Sequence, residues 1–242
     1  MTAGRSDRGV FDTLLIHQGR PVELAAHWER FVRTLDAVYG AVPPADLRER
    51  VHEAARGEAA GGRMRVDYDP CARPSFSVRV TPAPESLLAA GAHAPLETRL
   101  LDLGGGLGGH KWRDRSALGL EADPRPPLIR DGDGHVLEAG HGNLVIVEGE
   151  GLVTPPLDGR ILPGVTRRRV LLLARGEAIE VREEPVDRDR LRRADDVFVT
   201  SSIRGIQSVG RCEGAGAWSP SPLTARLAGL LREAWLRRED AE

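Results

Sequence analysis

The chain is poor in aromatic residues, which make up 4% of its 242 positions, and it has two cysteines. Cys71 and Cys212 offer neither metal-ligand spacing nor a disulfide framework, so no metal is expected and a reduced setting is the simpler reading. No segment approaches the ~20 apolar residues of a membrane span. The stretch Met1–Arg8 lacks an apolar signal core, and together these absences predict a soluble, cytoplasmic protein. Charge of one sign is also missing. The formal net charge of −2 gives no electrostatic reason to expect nucleic acid or an anionic membrane as partner. Lysine is nearly absent, arginine carrying the positive charge, so Lys111 stands out; GC-rich coding is enough to explain the bias.

What is present is an ordinary globular composition, 40% hydrophobic and 29% charged, in a length that fits one large or two modest domains. Gly9 to Ile16 reads as a strand turned by Gln18-Gly19-Arg20-Pro21. A helix follows from about Glu23 to Tyr39, because Leu24, Trp28, Phe31, Leu35 and Val38 recur three and four apart. Gly40 ends it, and a second helix is expected from Pro43-Pro44-Ala45-Asp46 to about Ala60. Arg63–Tyr68 and Ser75–Thr81 alternate as two antiparallel strands. Pro82 to Glu85 and the Ala-rich stretch after it read as a linker, dividing an N-terminal α/β lobe (1–82) and a linker (83–90) from a C-terminal lobe (91–242). In that lobe strands are expected at Glu97–Leu103, Leu128–Arg130, His135–Glu138, Leu144–Glu148, Gly151–Thr154, Ala178–Glu183 and Asp196–Thr200. Helices are expected at Val165–Arg175, Asp187–Ala194 and Ser221–Arg238. The glycine run 104–109 lacks the following helix with a Lys-Ser/Thr pair that a phosphate-binding loop needs, and reads as a flexible loop.

Four features could carry chemistry. Lys111 is flanked by His110, Arg113 and Arg115, cations that favour its neutral, nucleophilic form. Pro163-Gly164-Val165-Thr166 presents backbone N–H groups and a hydroxyl at a helix start, where peptide dipoles attract phosphate; ordinary capping by Thr166 explains it equally well. Thr200-Ser201-Ser202 adds hydroxyls after a buried strand. Glu138 ends a strand before a glycine-rich turn, where a surface carboxylate is the plainer explanation.

The ordered set Phe11-x-Thr13, His27-x-x-Arg30, His110-Lys111, Glu138-x-x-x-x-Asn143-Leu144, Thr154-Pro155-Pro156-Leu157-Asp158, Ile161 to Arg167 and Thr200-Ser201-Ser202 resembles the fold-type IV pyridoxal-phosphate enzymes, from about residue 9 to 215. That family includes branched-chain and D-amino-acid aminotransferases and aminodeoxychorismate lyase. The resemblance implies a two-lobed α/β (α+β) fold with a small N-terminal lobe and a larger, barrel-like C-terminal lobe binding pyridoxal 5'-phosphate, in a homodimer. It implies that Lys111 attaches the cofactor, Glu138 pairs with its ring nitrogen, and Arg30, Val165, Thr166, Ser202 and Ile203 hold its phosphate. Arg115, four residues after the lysine, and the Ser202–Val209 loop are similar to the lyases. The expectation is therefore conversion of 4-amino-4-deoxychorismate to 4-aminobenzoate and pyruvate, with Arg115, Arg204 and Arg113 as candidate carboxylate anchors. The alternatives are an aminotransferase of the same fold and a cofactor-free relative. Gly140 stands where the family's pattern has serine or threonine.

Overall fold

The computed structural model describes residues 8–58, 61–83 and 93–237. The described residues divide into two compact units, one formed by residues 8–58, 61–83, 110–115 and 235–237, the other by 93–109 and 116–234. Among the described residues no helix is long and apolar enough to cross a membrane.

In the first unit, strands β1 (Val10–His17), β2 (Arg20–Pro21), β3 (Gly62–Asp69) and β4 (Ser75–Pro82) form an antiparallel sheet in the order β2-β1-β3-β4. Its helices are α1 (Leu24–Tyr39) and α2 (Leu47–Arg56). Alternation sets which face is covered. Val10, Leu14 and Ile16 of β1 and Met64, Val66 and Tyr68 of β3 share one core cluster with Phe31 and Leu35 of α1 and Leu47 and Val51 of α2. Phe11, Thr13, Arg63, Arg65 and Asp67 have the opposite parity. Gly40 ends α1 in the left-handed conformation, its N–H donating back to Asp36 O and the following Ala41 N–H to Leu35 O.

The second unit is built on strands β5 (Leu96–Asp102), β6 (Pro127–Arg130), β7 (Val136–Ala139), β8 (Gly142–Glu148), β9 (Gly151–Thr154), β10 (Val181–Glu183), β11 (Asp196–Ser201), β12 (Gly205–Glu213) and β13 (Gly216–Ala217). Following the pairing from β8 through β11, β12, β5, β6 and β7 leads back to β8, so this part of the sheet closes on itself as a barrel. Closure removes the exposed edges of those strands. Helices α3 (Val165–Gly176), α4 (Arg188–Arg193) and α5 (Pro222–Leu236) complete the order. The core collects Leu128, Val136, Leu144, Ile146, Val197, Val199 and Val209.

The expected α/β architecture with a barrel-like second part is borne out. Three local expectations are corrected. The strand β12 was not expected, because Gly205, Gly210 and the polar Gln207, Ser208 and Arg211 dilute its alternation. The strand expected from Ala178 starts at Val181, since Ala178 adopts a left-handed φ of 59° in the turn after α3. The second helix stops at Arg56, and residues 59–60 of its expected end lie outside the described residues, as do linker residues 84–90. The segment His110–Arg115 groups with the first unit rather than with residues 91–242, for a backbone reason. Phe11 N–H donates to Lys111 O at 2.9 Å and Arg113 N–H to Gly9 O at 2.7 Å, so the segment runs as a short extra partner of β1.

Candidate active site

In the first unit the site is organised by parity. The bridge between Val10 and Trp112 turns Trp112 into the core and leaves Lys111 on the side of Phe11. Lys111 Nζ stands 5.1 Å from the Phe11 ring centroid. Arg65 Cζ lies 3.7 Å and Arg115 Cζ 5.6 Å from the same centroid. Three cations therefore surround one aromatic ring, each within the range of cation–π attraction. Arg65 is forked onto Asp67 through Nε at 2.8 Å and Nη2 at 2.7 Å, which fixes its orientation. Two residues along β1, Thr13 is buried and its Oγ1 has no hydrogen-bond partner among the described residues.

On the core side of the sheet, Arg30 and His27 project from α1 onto Asp12 of β1. Arg30 donates through Nε at 3.0 Å and Nη2 at 2.6 Å, and His27 Nδ1 lies 2.9 Å from Oδ1. Burial alone would raise the Asp12 carboxyl, but the Arg30 guanidinium and the His27 ring hold it well below the usual carboxylate range.

The second unit carries the other expected residues. Glu138 is buried on β7 and accepts from Leu162 N–H through Oε2 at 3.4 Å. Its register partner Asn143 donates through Nδ2 to Leu162 O at 2.8 Å, so both side chains pin the segment that leads into α3. The helix opens at Gly164, which has no side chain to cap it, and the first turn contains no acidic residue. Thr166 does not cap the helix; its hydroxyl lies 3.5 Å from Ser202 Oγ, in the turn between β11 and β12. Arg167, buried in the first turn of α3, is tied to Thr154 Oγ1 at 3.2 Å, Pro155 O at 2.9 Å and Glu183 at 2.9 Å. Helix-start N–H groups with two hydroxyls beside them are the donor set a phosphate requires.

Gly164 is demanded by packing. A Cβ added there would fall on Asn143 Oδ1, closer than real Cβ atoms approach anything. Gly164→Ala is expected to cost about 1–3 kcal/mol and to weaken binding of phosphate-bearing ligands, as measured by denaturant melts and ligand titration. A variant as stable as the parent would mean that Asn143 moves aside freely. Position 140 is tightly packed but not closed to a side chain. A Cβ on Gly140 would meet Pro127 Cδ at 3.1 Å and Leu118 at 3.3 Å.

Residues 114–212 match the amino-transferase class IV family model. A hypothetical aminotransferase from Mycobacterium tuberculosis in PLP-bound form superposes with a TM-score of 0.80 at 24% identity, covering 97% of this chain and 90% of that one. The chain has the class IV aminotransferase fold. The 4-amino-4-deoxychorismate lyase from Pseudomonas aeruginosa gives a TM-score of 0.78 at 23% identity, over 96% of this chain and 95% of that one. In sequence, the branched-chain-amino-acid aminotransferase of Escherichia coli (strain K12) is 35% identical over 102 residues, 41% of this chain and 33% of that protein. The chain thus spans about a third of the length of the curated relatives it matches. Lys111 lies just ahead of the matched stretch.

Against this class IV frame the expected residues fall into groups. Lys111 and Arg115 come together at Phe11, and Thr166 comes together with Ser202, with Ile203 next in the same turn. Arg113 is exposed and engaged by Asp69, whose carboxyl it holds below the usual range through their hydrogen bond. Arg204 is exposed and donates to Gln207 Oε1 at 3.1 Å. Sequence reasoning passed over Asp12, Thr13 as a hydroxyl, and Arg65. The signal for Asp12 was available: it is a charged residue at core parity between Val10 and Leu14. Arg65 has no such signal, because its neighbourhood depends on the β1–β3 register.

Proposed function

We propose that this chain is a pyridoxal-phosphate-dependent lyase that converts 4-amino-4-deoxychorismate to 4-aminobenzoate and pyruvate. The class IV match and the likeness to a structure in PLP-bound form support the cofactor. The observation that carries the lyase reading is the ring of Lys111, Arg65 and Arg115 around Phe11. A cationic surround of the reactive lysine suits a substrate with two carboxylates better than the apolar side chain of a branched-chain amino acid.

The α3 N-terminus through Val165 and Thr166, together with Ser202, Ile203 and Arg30, would hold the cofactor phosphate. Glu138 would keep a proton on the ring nitrogen. When bound, the cofactor supplies a sink for the electron pair left when the bond to hydrogen breaks at the amine-bearing carbon. Lys111 would attach the cofactor at rest and, once free, would take that proton as general base. Arg115 would orient the substrate carboxylates; loss of the enolpyruvyl group as pyruvate leaves the aromatic ring. The reading carries with it a cytoplasmic homodimer acting on a small molecule.

The sequence match to a branched-chain-amino-acid aminotransferase favours transamination as the second reading. Product analysis separates the two. Cofactor-loaded protein mixed with enzymatically generated aminodeoxychorismate is expected to release 4-aminobenzoate and pyruvate in equal amounts, with Arg115→Ala raising KM about tenfold. Amino-group exchange with a keto acid, and no aminobenzoate, would replace the lyase reading with transamination.

A further inference from the structure

Asp12 is the charged residue on β1 for which the reading above gives no task. It occupies a core position, and its carboxylate gathers four donors. Thr13 N–H at 2.7 Å, His27 Nδ1 at 2.9 Å and Arg30 Nη2 at 2.6 Å meet Oδ1, and Arg30 Nε meets Oδ2 at 3.0 Å. Asp12, His27 and Arg30 are 3%, 2% and 7% exposed. Stability is a poor reason to keep such a cluster, since well-packed apolar residues commonly replace a buried ion pair at no loss. The geometry offers another reason. A carboxylate engaging both Nε and Nη2 fixes the plane of a guanidinium, and the Asp12 carboxylate is itself fixed by the backbone of Thr13 and the ring of His27. Arg30 is thus held in one orientation by a group that is rigid.

We propose that Asp12 is a positioning residue: it presets the Arg30 guanidinium for the cofactor phosphate without touching the cofactor. This rests on the reading in which Arg30 holds that phosphate. Presetting matters because a long side chain that must be ordered on binding subtracts its lost rotamer freedom from the affinity.

The test compares pyridoxal 5'-phosphate with pyridoxal, which has the same ring and aldehyde and no phosphate. Each is titrated into the full-length protein, following visible absorbance, and variants are compared within each ligand. In Asp12→Asn an amide N–H₂ can face the Arg30 Nε–H, two donors opposed, so the guanidinium turns away. The Kd for the phosphorylated ligand is expected to rise about tenfold or more, with that for pyridoxal nearly unchanged. Asp12→Glu, which keeps the charge and shifts it by one methylene, should lie between and serves if the asparagine variant does not fold. In an Arg30→Lys background either Asp12 substitution should add nothing further to the ratio of the two Kd values. Equal weakening for both ligands would make Asp12 a support of the fold alone and overturn the proposal. Tighter binding of the phosphorylated ligand in Asp12→Asn would also overturn it, because Asp12 would then compete with phosphate for Arg30. If the unsubstituted protein takes up neither ligand, the cofactor reading itself fails, an outcome distinct from either of these.

Discussion

Lys111→Ala is expected to abolish the visible absorbance of the cofactor-loaded protein and to reduce turnover by about 10³-fold or more. The substitution removes the group proposed both to attach the cofactor and to carry the proton. It should leave the segment in place, because the backbone bond from Phe11 N–H to Lys111 O and the burial of Trp112 do not depend on the lysine side chain. Stability is therefore expected to change by less than about 1 kcal/mol. Lys111 is the only lysine in the chain, which sharpens the experiment. Borohydride reduction of the loaded protein should fix the cofactor to one side chain, and peptide mapping should find it there. A label at the N-terminal amine, or no label in a protein that stays coloured, would show that Lys111 is not the attachment point.

Lys111 is singled out in the sequence by the order of short motifs around it and not by its own neighbours. Its surroundings were not legible. Arg65 reaches Phe11 through the pairing of Thr13 with Arg65 and Phe11 with Asp67, a register between residues more than fifty apart in the chain. Local periodicity does report elements whose contacts are local or one-faced. The helix α1 was read within a residue of its observed ends, since one apolar stripe and a terminal glycine specify it. Strand β12 was missed for the opposite reason: it is paired on both sides, by β11 and β5, so pairing rather than its own side chains defines it. The proposed phosphate cup was half legible. Its Pro-Gly-Val-Thr sequence fits capping as well as anion binding, and the three-dimensional fact that Thr166 faces Ser202 favours the latter. Arg113, offered as a substrate anchor by its proximity in sequence to Lys111, is paired with Asp69.

Glu138→Gln is expected to lower kcat by about 10²–10³-fold, the size of effect typical for removing one aimed electrostatic partner from a buried site, while Kd for the cofactor moves much less. Glutamine keeps the volume and one acceptor oxygen, so the bond from Leu162 N–H has a partner and the fold around β7 is preserved. What it loses is the negative charge that the proposed role assigns to the carboxylate. In a site where Glu138 is 3% exposed, that charge is little screened, and a proton on a nearby ring nitrogen would depend on it. The split between kcat and Kd is the diagnostic. A carboxylate that only anchors the Leu162 segment would, on becoming an amide, shift stability and cofactor affinity together and leave kcat of the loaded fraction unchanged. The proposed role moves kcat of the loaded protein and shifts its visible absorbance. Stopped-flow turnover on protein saturated with cofactor, alongside the absorbance spectrum of the same sample, distinguishes these outcomes, and an unchanged kcat would leave Glu138 as a structural pin for the entry into α3.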